Sequence, residues 1–211
     1  MDFQTPMSKY QPRLKGLHLN TLVCVVLLLA GAACEVSKPS TPPPRSFTTA
    51  DLVIDPSLLA PAWEAVGGLD TQQPHVLGMR NNLGGTLIHL ENSESNLDHI
   101  VVLFPNSQDA ARAYDDHDFT RDTQGKYAGT WKTPAGFAYD SPIADQFRVV
   151  CVDIKNKAEI GDIGEICALE AQYEEFVSIL IYRTSNPAKI SADLELLSKV
   201  IDSQIGKFLG Y

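Results

Sequence analysis

The stretch from Thr21 to Cys34, TLVCVVLLLAGAAC, constrains this chain more than any other. Its apolar run, Leu22 to Ala30, follows three basic residues, Lys9, Arg13 and Lys15, and ends in the small residues Gly31, Ala32 and Ala33. Crossing a bilayer core of ~30 Å takes roughly 20 apolar residues, and this run is much shorter. A basic lead, a short apolar stretch and a small-residue end form the pattern of a secretory signal peptide. Residues 1–33 are therefore excluded from the fold, which must be built downstream and outside the cytoplasm. The basic residues lie nearer Met7 than Met1, and a start at Met7 gives the more ordinary lead.

Cys34 directly follows the small residues, and LLLAGAAC resembles the bacterial lipoprotein signal. The resemblance implies that the Cys34 thiol is alkylated with diacylglycerol and that cleavage falls on its N-terminal side. The family prefers a large aliphatic residue three positions before the cysteine, where this chain has Gly31. An ordinary secretory signal followed by a coincidental cysteine is the alternative reading. Fatty acyl chains such as palmitate contribute ~0.8 kcal/mol per buried CH₂, and several on one cysteine anchor a protein stably. The expected partner of the N-terminus is thus a membrane, inner or outer, with the domain facing the periplasm or the exterior.

Glu35 to Arg45, EVSKPSTPPPR, reads as a tether: its prolines favour an extended chain of ~3.1 Å per residue, and its Ser/Thr content cannot form a core. The expected division is signal peptide 1–33, lipidated cysteine and tether 34–45, and one extracytoplasmic domain 46–211, enough residues for a single core. Once residues 1–33 are removed, 14 basic and 25 acidic side chains remain, a net charge of −11. That charge favours solubility and excludes nucleic acid as a partner, because phosphates require a basic surface. Of the four cysteines, Cys24 lies in the signal and Cys34 at its end, which leaves Cys151 and Cys167. In an exported chain such a pair reads as a disulfide.

The domain reads as α+β. Thr49 can cap a short turn, and Pro56 and Pro61 forbid a long helix there. Strands are expected at His75–Arg80, Thr86–Leu90 and Asp98–Phe104, with NNLGG and ENSESN as turns. Ser107 can cap a helix over SQDAARAYDDHD, packed through Ala110, Ala111 and Tyr114. Gln146–Lys155, Ile163–Gln172 and Phe176–Arg183 alternate as β-branched strands, although EICALEAQYEEF also holds good helix formers. A turn centred near Glu159 sets Cys151 opposite Cys167. Leu194, Leu197, Val200, Ile201, Ile205 and Phe208 recur at helical spacing in a C-terminal helix from Ala192 to about Leu209, begun by Ser191. The expectation is an antiparallel sheet of five or six strands, packed by this long helix and a shorter middle one.

Candidate sites are few. A Thr86–Phe104 hairpin closing about Glu94 would set His89 across from His99, with β-carbons ~5 Å apart, close enough to share a metal if Glu91 or His75 supplied a third ligand. Asp115, Asp116 and Asp118 around His117 have the composition of a metal or acid/base cluster, but EF-hand spacing is missing and a solvated helix end explains them more simply. The irregular segment Thr120–Asp145 carries Tyr127, Trp131, Phe137 and Tyr139, the expected walls of a ligand cleft if one exists. GxSxG, HExxH, Walker A, GxGxxG and CxxC are absent from the sequence, so nothing in it points to catalysis or to a cofactor.

The order of strands, the helix after VVLFPNSQDAARAY, the aromatic segment, the cysteine-bearing meander and the long last helix is similar to extracytoplasmic sensor-type domains of bacterial Ser/Thr kinases and related envelope lipoproteins, and more broadly to PsbP-like α-β-α domains. The resemblance implies a sheet backed by helices with a cleft and a disulfide, and carries no functional residue. The expected function is a membrane-anchored envelope lipoprotein whose non-catalytic domain binds a small molecule or an envelope protein. The alternatives are a metal-binding lipoprotein using His89 and His99, or a hydrolase with an unrecognised site.

Overall fold

The computed structural model describes residues 44–59, 62–71, 78–117, 130–153 and 164–211. The chain divides into two compact units, Met1–Lys38 and Pro39–Tyr211, and the first lies outside the described residues. So do Cys24, Cys34, His75 and Tyr127. No helix among the described residues is long and apolar enough to cross a membrane.

The domain is an α+β fold on one antiparallel sheet of six strands: β1 (Glu64–Ala65), β2 (Gly84–Glu91), β3 (Ser95–Leu103), β4 (Gln146–Asp153), β5 (Glu165–Tyr173) and β6 (Phe176–Thr184). Their spatial order is β1-β2-β3-β6-β5-β4. Among the described residues three α-helices accompany it: α1 (Thr49–Leu52), α2 (Ser107–Asp116) and α3 (Ile190–Leu209). The meander reading of the C-terminal half holds. β5 and β6 are strands, not one helix, because ILIY and ICALEA supply apolar side chains to both faces of a central strand, and almost every residue of the pair is buried.

Both faces of the sheet are covered. On one, Leu90, Leu97, Val101, Leu169, Tyr173, Leu180 and Tyr182 pack against Leu194, Leu197, Ile201 and Ile205 of α3. On the other, Ile100, Val102, Ala168, Val177 and Ile179 pack against Ala110 and Tyr114 of α2, with Met79 closing the edge. The helix α3 stripe is the one the sequence spacing defines.

Local starts and ends differ from the sequence expectation by a residue or two. Thr48, not Thr49, caps α1, in a reciprocal arrangement with Asp51, while Thr49 Oγ1 bonds Thr86 Oγ1 at 2.8 Å. Asn106, not Ser107, caps α2, its Oδ1 accepting the Asp109 N–H at 2.8 Å. Helix α3 begins at Ile190 after a 3₁₀ turn, Pro187–Lys189. Ser191 does not cap it; its hydroxyl donates to Ala135 O at 2.6 Å and ties the irregular segment to the helix. Residues 78–83 are not a strand: Gly78 and Asn81 take left-handed backbone angles, and β2 starts at Gly84.

The folded end of the tether is pinned. Arg45 makes a two-pronged ion pair with Glu175, at 2.8 and 2.9 Å, and also reaches Glu174. These carboxylates raise its pKa. Phe47 then packs between Phe176 and Phe208, so the domain begins at the β5–β6 turn, where Tyr211 also bonds Glu174.

Candidate functional site

The two histidines do not meet. The hairpin closes on a two-residue loop, Ser93-Glu94, because Asn92 Oδ1 accepts the N–H groups of Glu94 and Ser95 at 2.9 and 2.8 Å. His89 therefore pairs with Asp98, and His99 with Ile88. A slip of one residue moves a side chain to the opposite face of a sheet, so the His89/His99 metal pair is corrected to two separate histidines. His89 Nδ1 lies 2.6 Å from Asp98 Oδ1, whose other oxygen accepts from Arg183 at 2.8 Å, on the partly exposed α2 face.

His99 is fully buried on the α3 face. Its Nδ1 accepts the Ile54 N–H at 2.9 Å, and Nε2 lies 2.9 Å from Ser178 Oγ. A nitrogen that accepts a backbone N–H carries no proton of its own, so the neutral ring has its hydrogen on Nε2 and donates it to the serine. That direction is the reverse of a serine activated by a histidine base. Desolvation pushes the His99 pKa down to about 3, which keeps the ring neutral.

Cys151 and Cys167 form the expected disulfide between β4 and β5. The Cys151 N–H and C=O both bond Lys132, on the outer edge of β4, at 2.8 and 2.9 Å. The cysteine pair is thus a non-hydrogen-bonded one, the type that brings opposed side chains closest, and its Cα atoms are 4.0 Å apart. Glu165 offers an oxygen within 4.8 Å of both sulfurs, but sulfurs bonded to each other provide no thiolate for a metal.

The aromatic residues of the irregular segment are divided between the faces. Phe137 and Tyr139 sit on Phe147, at ring distances of 6.3 and 6.0 Å, on the α3 side. Tyr139 and Tyr173 both donate to Asp202 of α3, each at 2.5 Å. Burial first, and then the Asp202 carboxylate, push both phenol pKa values upward. Trp131 packs instead against the α2-side core. These three side chains fasten the segment to the sheet and do not line one common cleft.

A different constellation lies on the α2 face. Glu170 is completely buried at the middle of β5. Its Oε1 is 2.9 Å from His117 Nδ1, at the end of α2, and its Oε2 accepts the Arg148 Nε at 2.7 Å. Arg148 also donates to the Tyr114 and His117 carbonyls at 2.9 and 2.6 Å, and its guanidinium stacks on the Tyr114 ring at 4.5 Å. A cation bonded to the last carbonyls of a helix complements its dipole. Burying the carboxylate is tolerable only because a guanidinium and an imidazole meet it.

Beside this cluster opens a cleft of about 630 Å³. One wall is the loop Gly78, Met79, Arg80 and Asn81; the other is the outer stripe of α2, Asp109, Arg112, Ala113, Asp116 and His117. The volume lies within the range of ligand pockets, roughly 300–1,000 Å³. The sequence marks Asp116 and His117 among these residues; it marks neither the loop nor Glu170 beside the cleft. The available signal was the lone carboxylate in ICALEAQY: a charge centred in an apolar strand demands a partner.

No family model and no curated protein matches this sequence. Among solved structures the chain is similar to the extracellular domain of PknH from Mycobacterium tuberculosis, at 11% identity and a TM-score of 0.47, over 76% of this chain and 92% of that one.

Proposed function

We propose that this chain is an exported, lipid-anchored cell-envelope protein whose α+β domain is a non-catalytic binding module that takes its ligand or protein partner in the cleft between the 78–81 loop and α2. The observation that carries the reading is the cleft itself: about 630 Å³, walled by polar side chains on two elements that the core already holds in place. Met79 is buried under the loop, and Ala110 and Tyr114 seat the helix, so the walls are set before anything binds. The export and anchor rest on the LLLAGAAC signal and the Pro-rich tether. A disulfide and a net negative domain accord with that location.

Two measurements test the reading separately. Growth with a clickable fatty acid should label the wild-type chain and not Cys34→Ser; label that survives the substitution removes the anchor. Native mass spectrometry of the chain purified from membranes should show a bound species that Ala113→Arg, which fills the cleft, displaces. The same bound mass on both proteins, or none on either, removes the cleft as the binding site.

A further inference from the structure

The chemistry of the two walls selects among ligand classes. On α2, Asp109, Arg112, Ala113, Asp116 and His117 fall at helical spacing on one stripe, and Ala110 and Tyr114 turn to the sheet. The loop adds Arg80 and Asn81. Among the described residues the cleft thus carries two guanidinium groups, Arg80 and Arg112, and two carboxylates, Asp109 and Asp116, and it is open to solvent. An anion entering it meets Asp109 and Asp116, and a cation meets Arg80 and Arg112. Neither sign of charge gains.

A ligand that both donates and accepts at every position is satisfied on both walls. Hydroxyl groups do this. A carboxylate can accept from two neighbouring hydroxyls and a guanidinium can donate to two, so planar forks match vicinal diols, and the Asn81 amide offers one donor side and one acceptor side. Ala113 stands mid-stripe with only a methyl group, which leaves room for a ring to approach the helix between Arg112 and Asp116. Arg112 is two-thirds exposed and holds Asp109 at only 3.2 Å, so its fork is available to a ligand. Asn81 is placed in advance: its backbone is left-handed, with φ 64°, above a turn that Asn82 ties through the Met79 carbonyl at 2.7 Å and the Gly84 N–H at 3.2 Å.

Resting on the reading of this cleft as a binding site, we infer that its ligand is neutral and polyhydroxylated: an oligosaccharide segment held by Asp109, Asp116, Arg80, Arg112 and Asn81. The open shape and the volume suit a chain of sugar rings rather than an enclosed single ring. A zwitterionic amino acid or short peptide could use the same charges, but charge pairing in an open cleft contributes little because water screens it.

The test is calorimetric titration of the full chain in detergent with three neutral trisaccharides, maltotriose, mannotriose and chitotriose. At least one should bind, with an affinity that changes less than about twofold between low and high salt because no net charge is neutralised. Asp116→Ala should weaken it about tenfold, the loss of one charged hydrogen-bond partner, and Ala113→Arg should abolish it, with both variants melting as wild type does. Failure of all three sugars, or binding equal in wild type and Ala113→Arg, overturns the inference. If the zwitterionic dipeptide glycylglycine binds instead, with sensitivity to Ala113→Arg, the ligand class is wrong but the cleft stands as a binding site. If the native species of the preceding experiment is also unaffected by Ala113→Arg, both readings fall.

Discussion

Helix α3 covers one face of the sheet with twenty residues and a continuous apolar stripe; α2 covers the other with ten residues and leans on a buried carboxylate. On the α3 side the buried polar pair His99–Ser178 is neutral, and the carboxylates of α3 fasten neighbours to the helix: Asp202 holds two tyrosines, and Asp193 accepts from Tyr182 at 2.6 Å. On the α2 side the polar group lies at the centre and holds the helix itself, through Arg148 and His117. An apolar face stabilises without specifying much, whereas a buried charge ties one element to one place and fails severely when a partner is lost. The cleft lies along the helix that is held by charge. The face that secures the fold and the face that offers a site are thus different faces.

Arg148→Ala should be the most damaging change, because it leaves the buried Glu170 without its guanidinium and the end of α2 without its cap. We expect a loss of about 3–5 kcal/mol in urea denaturation. The double variant Arg148→Met/Glu170→Leu should recover part of it, since replacing both charges with apolar groups of similar size is often near neutral, while the His117 ring and two helix carbonyls still lose their partners. A double variant as unstable as the single one would mean that the cluster acts through shape, and the contrast between the faces would collapse. Loss of the disulfide comes next and belongs to the other side, where Cys151 and Cys167 lie in the α3 core. With a separation of 16 residues, Cys151→Ala/Cys167→Ala should cost about 3 kcal/mol, read as a lower melting temperature with the cleft intact. An unchanged melt would show that the bond is not formed in the protein.

The faces also differ in how far they could be read from sequence. The α3 stripe repeats every three or four residues within one segment, and the β4–β5 register follows from a symmetric closure about residue 159, so Cys151 meets Cys167 as expected. Both are local patterns. The α2 site is not local: Arg148, Glu170 and His117 come from two strands and a helix, 22 to 53 residues apart, and only the sheet order brings them together. The histidines differ from the sequence expectation by parity. The residues of ENSESN allow a loop centred on Glu94 or one of Ser93-Glu94, and the Asn92 side chain selects the second by accepting two backbone N–H groups. Composition marks such a segment as a turn without fixing its length, and a single residue decides which face His99 occupies.

His99 gives the third prediction. The unfolded chain takes up a proton near pH 6.5, while the folded ring, desolvated and held by Ile54 and Ser178, does so only at about 3. Below pH 6.5 the unfolded state therefore binds more protons, and stability falls as pH falls; above it the effect is absent. The slope from this one group is roughly 1.4 kcal/mol per pH unit through the window. Urea titrations at pH 7, 6 and 5 should show wild type losing stability faster than His99→Gln. Parallel losses in the two proteins would mean that the ring is reached by water, and that this face is less sealed than the packing indicates.

The smallest expected effect separates fastening from support on the α3 side. Asp202 accepts from Tyr173, which is fully buried, and from Tyr139, which is partly exposed on the irregular segment. If both hydroxyls supported the core, removing either would cost about the same. The geometry argues otherwise: without the Tyr139 hydroxyl, Asp202 keeps one donor and gains water at the rim, so Tyr139→Phe should cost only about 1 kcal/mol, less than a hydrogen bond to a charged group deep in the core. Its effect should be local, because residues 130–145 are also held by Ser191 on Ala135, Glu195 on the Ala138 N–H and the Lys132 bridge to Cys151. Amide exchange should rise at Ala138 and its neighbours and stay unchanged in β5 and β6. Tyr173→Phe should instead lower global stability by more and raise exchange in both strands. Equal global losses from the two variants would make Asp202 a centre of the core, like Glu170 on the opposite face, and the two faces would then be held in the same way.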